Sequence, residues 1–231
     1  MNKNFFLVFC LMLTAILFST VGAFAQSESN SLTVALSVEP VSLDPAGGLY
    51  IPEQLLIQQI YDPLIYADPE QNLHPGLATS WEVNPEGTEF TLNLRNDVKF
   101  HDGTPFNAQA VKVSLDRAAV GTTVAAAAPA MLTDYIETQV VNDTQVVIKF
   151  STPHATFLQD LTRPWLMISS PAAIEQYGDD YGQHPVGTGP FIFKEWAAQD
   201  HITLVKNPDY NWGPEFFTHT GPALLDEIVF R

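Results

Sequence analysis

Apolar and polar positions alternate with a period of two in three stretches of the chain, and turn residues interrupt the alternation each time. Trp81 and Val83 alternate with Glu82 and Asn84, and Phe90, Leu92 and Leu94 alternate with Thr91, Asn93 and Arg95. The connector Asn84-Pro85-Glu86-Gly87 carries Asn first, Pro second and Gly fourth, the residues a type I turn favours, which predicts a hairpin. A second hairpin is expected where Val140-Val141 and Val146, Ile148 and Phe150 flank Asn142-Asp143, and a third where Phe191 to Trp196 pairs with His201 to Lys206 across Ala197 to Asp200.

Elsewhere the period lengthens. Ala108, Val111, Leu115 and Ala118 fall on one face of a helix behind Asn107 as N-cap. Pro52 stands as a first-turn proline for a helix over Glu53 to Tyr61, and a short helix is expected over His154 to Leu161. Leu32 to Val38 reads as a first strand, Glu39 to Gly48 as a loop punctuated by Pro and Gly, and Leu225 to Arg231 as a last strand. The Ala-rich stretch Val124 to Ala130 is the one low-complexity segment. Hairpins mixed with helices predict an α/β, mixed α+β architecture.

The opening residues have a different pattern. Lys3 is followed by an apolar run from Phe5 to Phe18 and by small residues ending in Ala23-Phe24-Ala25, the layout of a cleavable signal peptide over residues 1–25. The apolar run is shorter than the roughly 20 residues a membrane-spanning helix needs. Cys10, the only cysteine, lies inside that run and is followed by Leu11-Met12-Leu13, so it lacks the setting of a lipid-modified cysteine. Export to the periplasm, without a lipid anchor, is the expected address. The mature chain would then hold no cysteine, which excludes thiolate catalysis, zinc-thiolate sites and iron-sulfur clusters. It would also carry nine basic against 26 acidic side chains, a net charge of −17. Such a surface repels nucleic acid and anionic lipid.

Few residues carry a chemical signature. There is no G-x-S-x-G turn for a nucleophile and no H-E-x-x-H for zinc, and the six histidines have no paired spacing on one element. Gly187-Thr188-Gly189-Pro190 runs into a strand rather than a helix N-terminus, so it reads as a turn and not as a phosphate cradle. His101-Asp102-Gly103-Thr104-Pro105 reads as turn chemistry leading to the helix capped by Asn107. Neither an enzyme nor a bound cofactor is expected. Arg163-Pro164-Trp165 stays open between two readings. The proline holds Arg163 extended beside an aromatic, as a carboxylate grip would need, or the arginine closes a helix C-terminus.

Four separated motifs stand in order: Glu39-Pro-Val-Ser-Leu-Asp-Pro45, Gly76-Leu-Ala-Thr-Ser-Trp81, Leu94-Arg-Asn-Asp-Val-Lys-Phe-His-Asp-Gly-Thr-Pro-Phe-Asn-Ala108 and Pro185-Val-Gly-Thr-Gly-Pro-Phe191. Together they resemble the extracytoplasmic solute-binding proteins of family 5, which serve ABC importers of peptides and nickel. The resemblance implies two lobes closing on a ligand, with an extra subdomain inserted in the first. It assigns 26–64 and 187–231 to lobe I and 65–186 to the inserted subdomain, with lobe II following Arg231. The chain then reads as the first part of such a protein, binding ligand weakly or not at all by itself. The implied partners are a peptide or a metal chelate and an ABC permease in the inner membrane, with the binding protein itself a monomer. Leu49-Tyr50-Ile51-Pro52-Glu53-Gln54 and Phe157 to Pro164 are similar to the nickel-binding branch, so the resemblance makes Tyr50, Arg163 and Trp165 the ligand-binding candidates. The Trp and Arg which that branch places after the motif helix are not evident in the Ala-rich region, and peptide remains as well supported as a nickel chelate. No residue is assigned as a metal ligand.

Overall fold

A computed structural model describes residues 30–47, 51–121 and 127–231. The expected signal peptide lies outside them. Two four-stranded sheets organise the chain. In the first, β1 (Ser31–Val34) lies parallel to β10 (Glu227–Phe230), and β9 (His201–Lys206) and β8 (Phe191–Ala197) continue antiparallel in the order β1-β10-β9-β8. A parallel pair cannot close through a tight turn. Almost the whole described chain is the crossover between these two strands. The end strands are shorter than their apolar runs predict, yet Arg231 N donates to Val34 O at 2.9 Å and Leu36 N donates to Arg231 O, so pairing continues irregularly past both.

Helix α1 (Ile51–Ile60) covers this sheet, with Pro52 in its first turn as expected. Leu56, Ile57 and Ile60 from the helix meet Phe191, Ile202, Leu204, Ile228 and Phe230 from the strands in one core. Met167, Ala173 and Tyr181 pack into the same core from α5 (Pro171–Tyr177) and its flanking segments. The sequence reading did not anticipate α5, although Ser170 and Pro171 form a standard start: the Ser170 Oγ accepts from Ala173 N at 3.3 Å.

The second sheet is antiparallel throughout, in the order β4 (Ala78–Val83), β5 (Glu89–Leu94), β7 (Gln145–Phe150), β6 (Tyr135–Asn142). Both predicted hairpins are present. Phe90, Leu92, Leu94, Val146, Ile148 and Phe150 alternate onto the buried face, against Val111, Leu115 and Ala118 of α2 (Ala108–Val120). Asn107 caps α2 as predicted, its Oδ1 accepting from Ala110 N at 3.1 Å. Val83, Val140 and Val141 are exposed instead, because β4 and β6 are the edge strands and their outer residues have no facing layer. A small hairpin of β2 (Ile65–Ala67) and β3 (Leu73–Pro75) links the two sheets. Part of the Ala-rich stretch forms α3 (Ala127–Met131), and the expected helix over His154 to Leu161 shrinks to α4 (Phe157–Asp160). Among the described residues no helix is long and apolar enough to cross a membrane.

Candidate functional site

Residues 42–47 have no regular structure, yet every one is buried. Such a loop needs partners for its polar atoms, and it has them. Leu43 N donates to Gly182 O at 2.8 Å, and the Tyr61 hydroxyl donates to Leu43 O at 3.1 Å. Gly47 N closes a turn on Asp44 O at 2.9 Å, and Ala46 N donates to Asp44 Oδ1 at 3.1 Å. The Asp44 carboxylate is gripped from the last turn of α2. Arg117 Nη1 and Nη2 donate to its two oxygens at 2.7 and 2.6 Å, and the guanidinium carbon lies 5.5 Å from the centre of the Tyr181 ring. Burial opposes charge on Arg117, but the hydrogen bond and charge of Asp44 hold its pKa above the ordinary value.

Of the three expected ligand-binding residues, Tyr50 lies outside the described residues, between Gly47 and the first residue of α1. Arg163 has φ −86° and ψ 147°, the extended conformation its following proline demands. Its side chain is exposed and makes no ion pair or side-chain hydrogen bond among the described residues. Trp165, in the short turn Pro164–Leu166, is half-buried and lines a narrow cavity of ≈ 10 Å³ with Asp44, Pro45, Ala46, Ser114 and Arg117. That space holds about one water molecule. The structure therefore sets Trp165 beside the loop that leads to Tyr50, with Arg163 two residues away on the surface. Sequence reading did not single out Asp44 or Arg117. The signal available was an Asp-Pro in a loop and one arginine on the helix that buries Leu115 and Ala118, and nothing in the sequence pairs residues 73 apart.

A second polar centre lies where α1 ends. Asp62, 1% exposed, accepts from Tyr66 Oη at 2.6 Å, Tyr210 Oη at 3.0 Å, Thr188 Oγ1 at 2.7 Å and Trp212 Nε1 at 2.9 Å. The two motifs read above as turns are fastened alongside. A Cβ on Gly187 would come within 2.2 Å of Ile60 O, and one on Gly189 within 2.7 Å of Gln59 O, so these glycines serve close packing on α1. Asp102 Oδ1 accepts from Thr104 N at 2.9 Å and Gly103 has φ +84°, the geometry of a turn. Among the described residues, no group of three or more His, Cys, Asp or Glu is placed to hold a metal ion.

The architecture matches part of the two-lobe binding-protein fold. It matches the AgaA binding protein of A. tumefaciens R10, solved with agropinic acid, at TM-score 0.74 and 30% identity over 87% of this chain and 40% of that one. It also matches the Helicobacter pylori protein DppA, solved with the peptide STSA, at TM-score 0.74 and 29% identity over 87% of this chain and 42% of that one. In sequence it is similar to the glutathione-binding protein GsiB of Escherichia coli O1:K1, 34% identical over 90% of this chain and 39% of the relative. Residues 72–231 match the family model of bacterial extracellular solute-binding proteins, family 5, and the chain belongs to that family. It spans about two fifths of the length of these relatives.

Proposed function

We propose that the chain is part of the substrate-binding component of an ABC importer, which captures a small peptide or peptide-like ligand in the periplasm and delivers it to a permease in the inner membrane. Lobe I comprises 26–64 and 187–231 in this reading, and 65–186 is the inserted subdomain. The shared sheet of β1, β8, β9 and β10 supports the first assignment and the separate sheet of β4 to β7 the second. Within 65–186, Met167, Ala173 and Tyr181 pack into the core of the lobe I sheet, so the last segment of the subdomain is shared with lobe I. The signal peptide is removed, Cys10 carries no lipid, and the binding protein acts as a free monomer.

The observation that carries the ligand class is Arg163. It is an exposed guanidinium without an anionic partner among the described residues, in a chain of formal charge −16. A cation left unpaired among so many carboxylates is available to a ligand carboxylate, and Trp165 offers an apolar face nearby. Tyr50 completes the contact set. The glutathione-binding relative and the peptide-bound DppA support a peptide carboxylate.

The test is a titration of the 15N-labelled chain with glutathione, followed by NMR. With one lobe closing on the ligand, saturation is expected at millimolar concentrations, with shifts at the Trp165 indole and Arg163 Nε signals. Glutathione with both carboxylates converted to amides should leave those signals in place. Equal shifts from the amide, or tight saturation at micromolar glutathione by this chain alone, would overturn the reading. A nickel chelate is the second reading, supported by likeness to Brucella suis NikA solved with Fe(III)-EDTA, 27% identical at TM-score 0.71. Nickel-histidine moving the same signals while glutathione does not would select it.

A further inference from the structure

We propose that His101 is an acid-sensitive latch on the seam between the two sheets: its neutral ring holds the crossing at 187–190, and protonation sends the ring into the neighbouring cleft and frees that crossing from the loop between β5 and α2. The device does not depend on which ligand the protein carries.

His101 grips the crossing twice. Its backbone N–H donates to Gly187 O and its Nε2–H to Gly189 O, both at 2.9 Å. A carbonyl only accepts, so Nε2 carries the proton of the neutral ring and Nδ1 is left with a lone pair. Nδ1 is buried and has no hydrogen-bond partner among the described residues. A second proton would create a charged ring and a buried N–H without an acceptor, and both are costly. The carboxylates nearby do not remove that cost. Asp62, at the end of α1, already accepts from four donors, and Asp102, next to His101 in the loop, accepts from Thr104 N, Thr104 Oγ1 and Ser170 Oγ. Burial outweighs the Gly189 bond and both of these charges, and it holds the His101 pKa below the ordinary 6.5.

The charged ring has a place to go. His101 lines a cleft of ≈ 380 Å³ with Asp97 and Lys99 of its own loop and Asp209 of the segment after β9, all three exposed. There an imidazolium meets solvent and the Asp209 carboxylate; Lys99 opposes it, and Asp97 is already engaged by Arg95. Gly189 O keeps its bond from Asn207 Nδ2 at 3.1 Å when the ring leaves, so the seam loosens without coming apart. Because the latched ring takes its second proton less readily than a free histidine, opening binds a proton once pH falls below 6.5. The latch is therefore closed above that pH, and its grip weakens below it by up to about tenfold per pH unit for one proton.

Amide hydrogen exchange of the full chain between about pH 7.5 and 5.5 tests this, with each rate divided by that of an unstructured peptide at the same pH. Protection of the His101 N–H should fall by about threefold or more over that range, while Leu92, Ile148 and Leu204 in the sheets keep theirs. His101→Gln can still donate an N–H to Gly189 O and has no proton to gain, so protection at position 101 should not change with pH in that variant. Each protein is compared only with itself across pH, which keeps a general loss of stability in the variant from imitating the effect. The 13C-labelled His101 ring gives the second readout, since its imidazolium signal should appear only together with the loss of protection. Constant protection in the unaltered chain, an equal fall in His101→Gln, or a ring that becomes charged while its amide stays protected would each overturn the proposal.

Discussion

Replacing Asp62 with alanine should be among the most damaging single changes in this chain. The carboxylate is buried with no basic side chain bonded to it among the described residues, so four neutral donors stabilise the charge: two phenols, a threonine hydroxyl and an indole. Hydrogen bonds to a charged acceptor contribute about 1.5–3 kcal/mol each, and a buried donor left unpaired costs about 1–3 kcal/mol. The donors do not suffer equally. Three are hydroxyls that can rotate toward another acceptor, whereas the Trp212 N–H has a fixed direction and can only donate. Summing full penalties would overcount, and a loss of about 5 kcal/mol is expected for Asp62→Ala. That is a large part of the roughly 5–15 kcal/mol that holds a domain folded.

Asp62→Asn separates charge from shape. Its carbonyl oxygen can face Thr188 and Trp212 while its amide faces Tyr66 and Tyr210, whose hydroxyls accept in place of donating. The two phenol protons must turn to other acceptors, which a rotating hydroxyl can do, and the main loss is the charge assistance, about 2 kcal/mol. Urea unfolding followed by far-ultraviolet circular dichroism measures both, since Trp212 fluorescence would itself be changed by the substitution. With a slope of about 2–3 kcal/mol per molar urea, the alanine midpoint should fall by about 2 M and the asparagine midpoint by less than half of that. Equal losses for the two variants, or less than about 2 kcal/mol for alanine, would refute the claim that four donors converge on a necessary carboxylate.

Two further outcomes follow from the same packing. Burial raises the pKa of the Tyr61, Tyr181 and Tyr210 phenols above the ordinary 10.0, so the folded chain keeps protons that the unfolded chain releases as pH rises past 10. These three together should cost about 4 kcal/mol of stability per pH unit there. The absorbance of these three tyrosinates should therefore appear in one cooperative step with unfolding, and full ionisation of all seven tyrosines in a chain still folded would contradict their burial. Gly187→Ala should lower stability by about 3 kcal/mol or more, since its Cβ would overlap the Ile60 carbonyl. Gly103→Ala, with open space but φ +84°, should cost only about 1 kcal/mol, and urea unfolding of both variants checks the difference.

The parts of the fold that could be read from sequence are those whose information is local. The turn at Asn84 to Gly87 closes with Gly87 N on Asn84 O at 3.0 Å, and the Asn84 side chain accepts from Thr88 N and Glu89 N, so four adjacent residues carry the whole instruction. The same holds for Asn107 capping α2 and for Pro164 extending Arg163. The β2–β3 hairpin was too short to show a period. The parallel pairing of β1 with β10 joins residues almost 200 apart, and no alternation can announce it. The site divides in the same way. Backbone conformation at Arg163 was legible, but Asp44 with Arg117, and Asp62 with its donors, are partners only because tertiary packing brings them together.

Those distant partners also determine how the molecule can move. The chain crosses between its two sheets at 60–64 and again at 187–190, and both crossings are fastened to each other. Gly189 N donates to Ile60 O at 2.9 Å, and Thr188 bonds Asp62. His101, on the loop between β5 and α2, donates its backbone N–H to Gly187 O and its Nε2–H to Gly189 O, both at 2.9 Å. Burial lowers the pKa of His101, so the ring stays neutral there and the Nε2 proton it carries is committed to that carbonyl. Glycines packed directly on the helix backbone leave no gap in which the crossings could slide. A hinge needs a few residues free to change φ and ψ, and this seam has none to spare. The sheet of β4 to β7 is therefore fastened to the sheet of β1 and β10 at this seam, and the bidentate Arg117–Asp44 pair adds a tie between α2 and the buried loop 42–47.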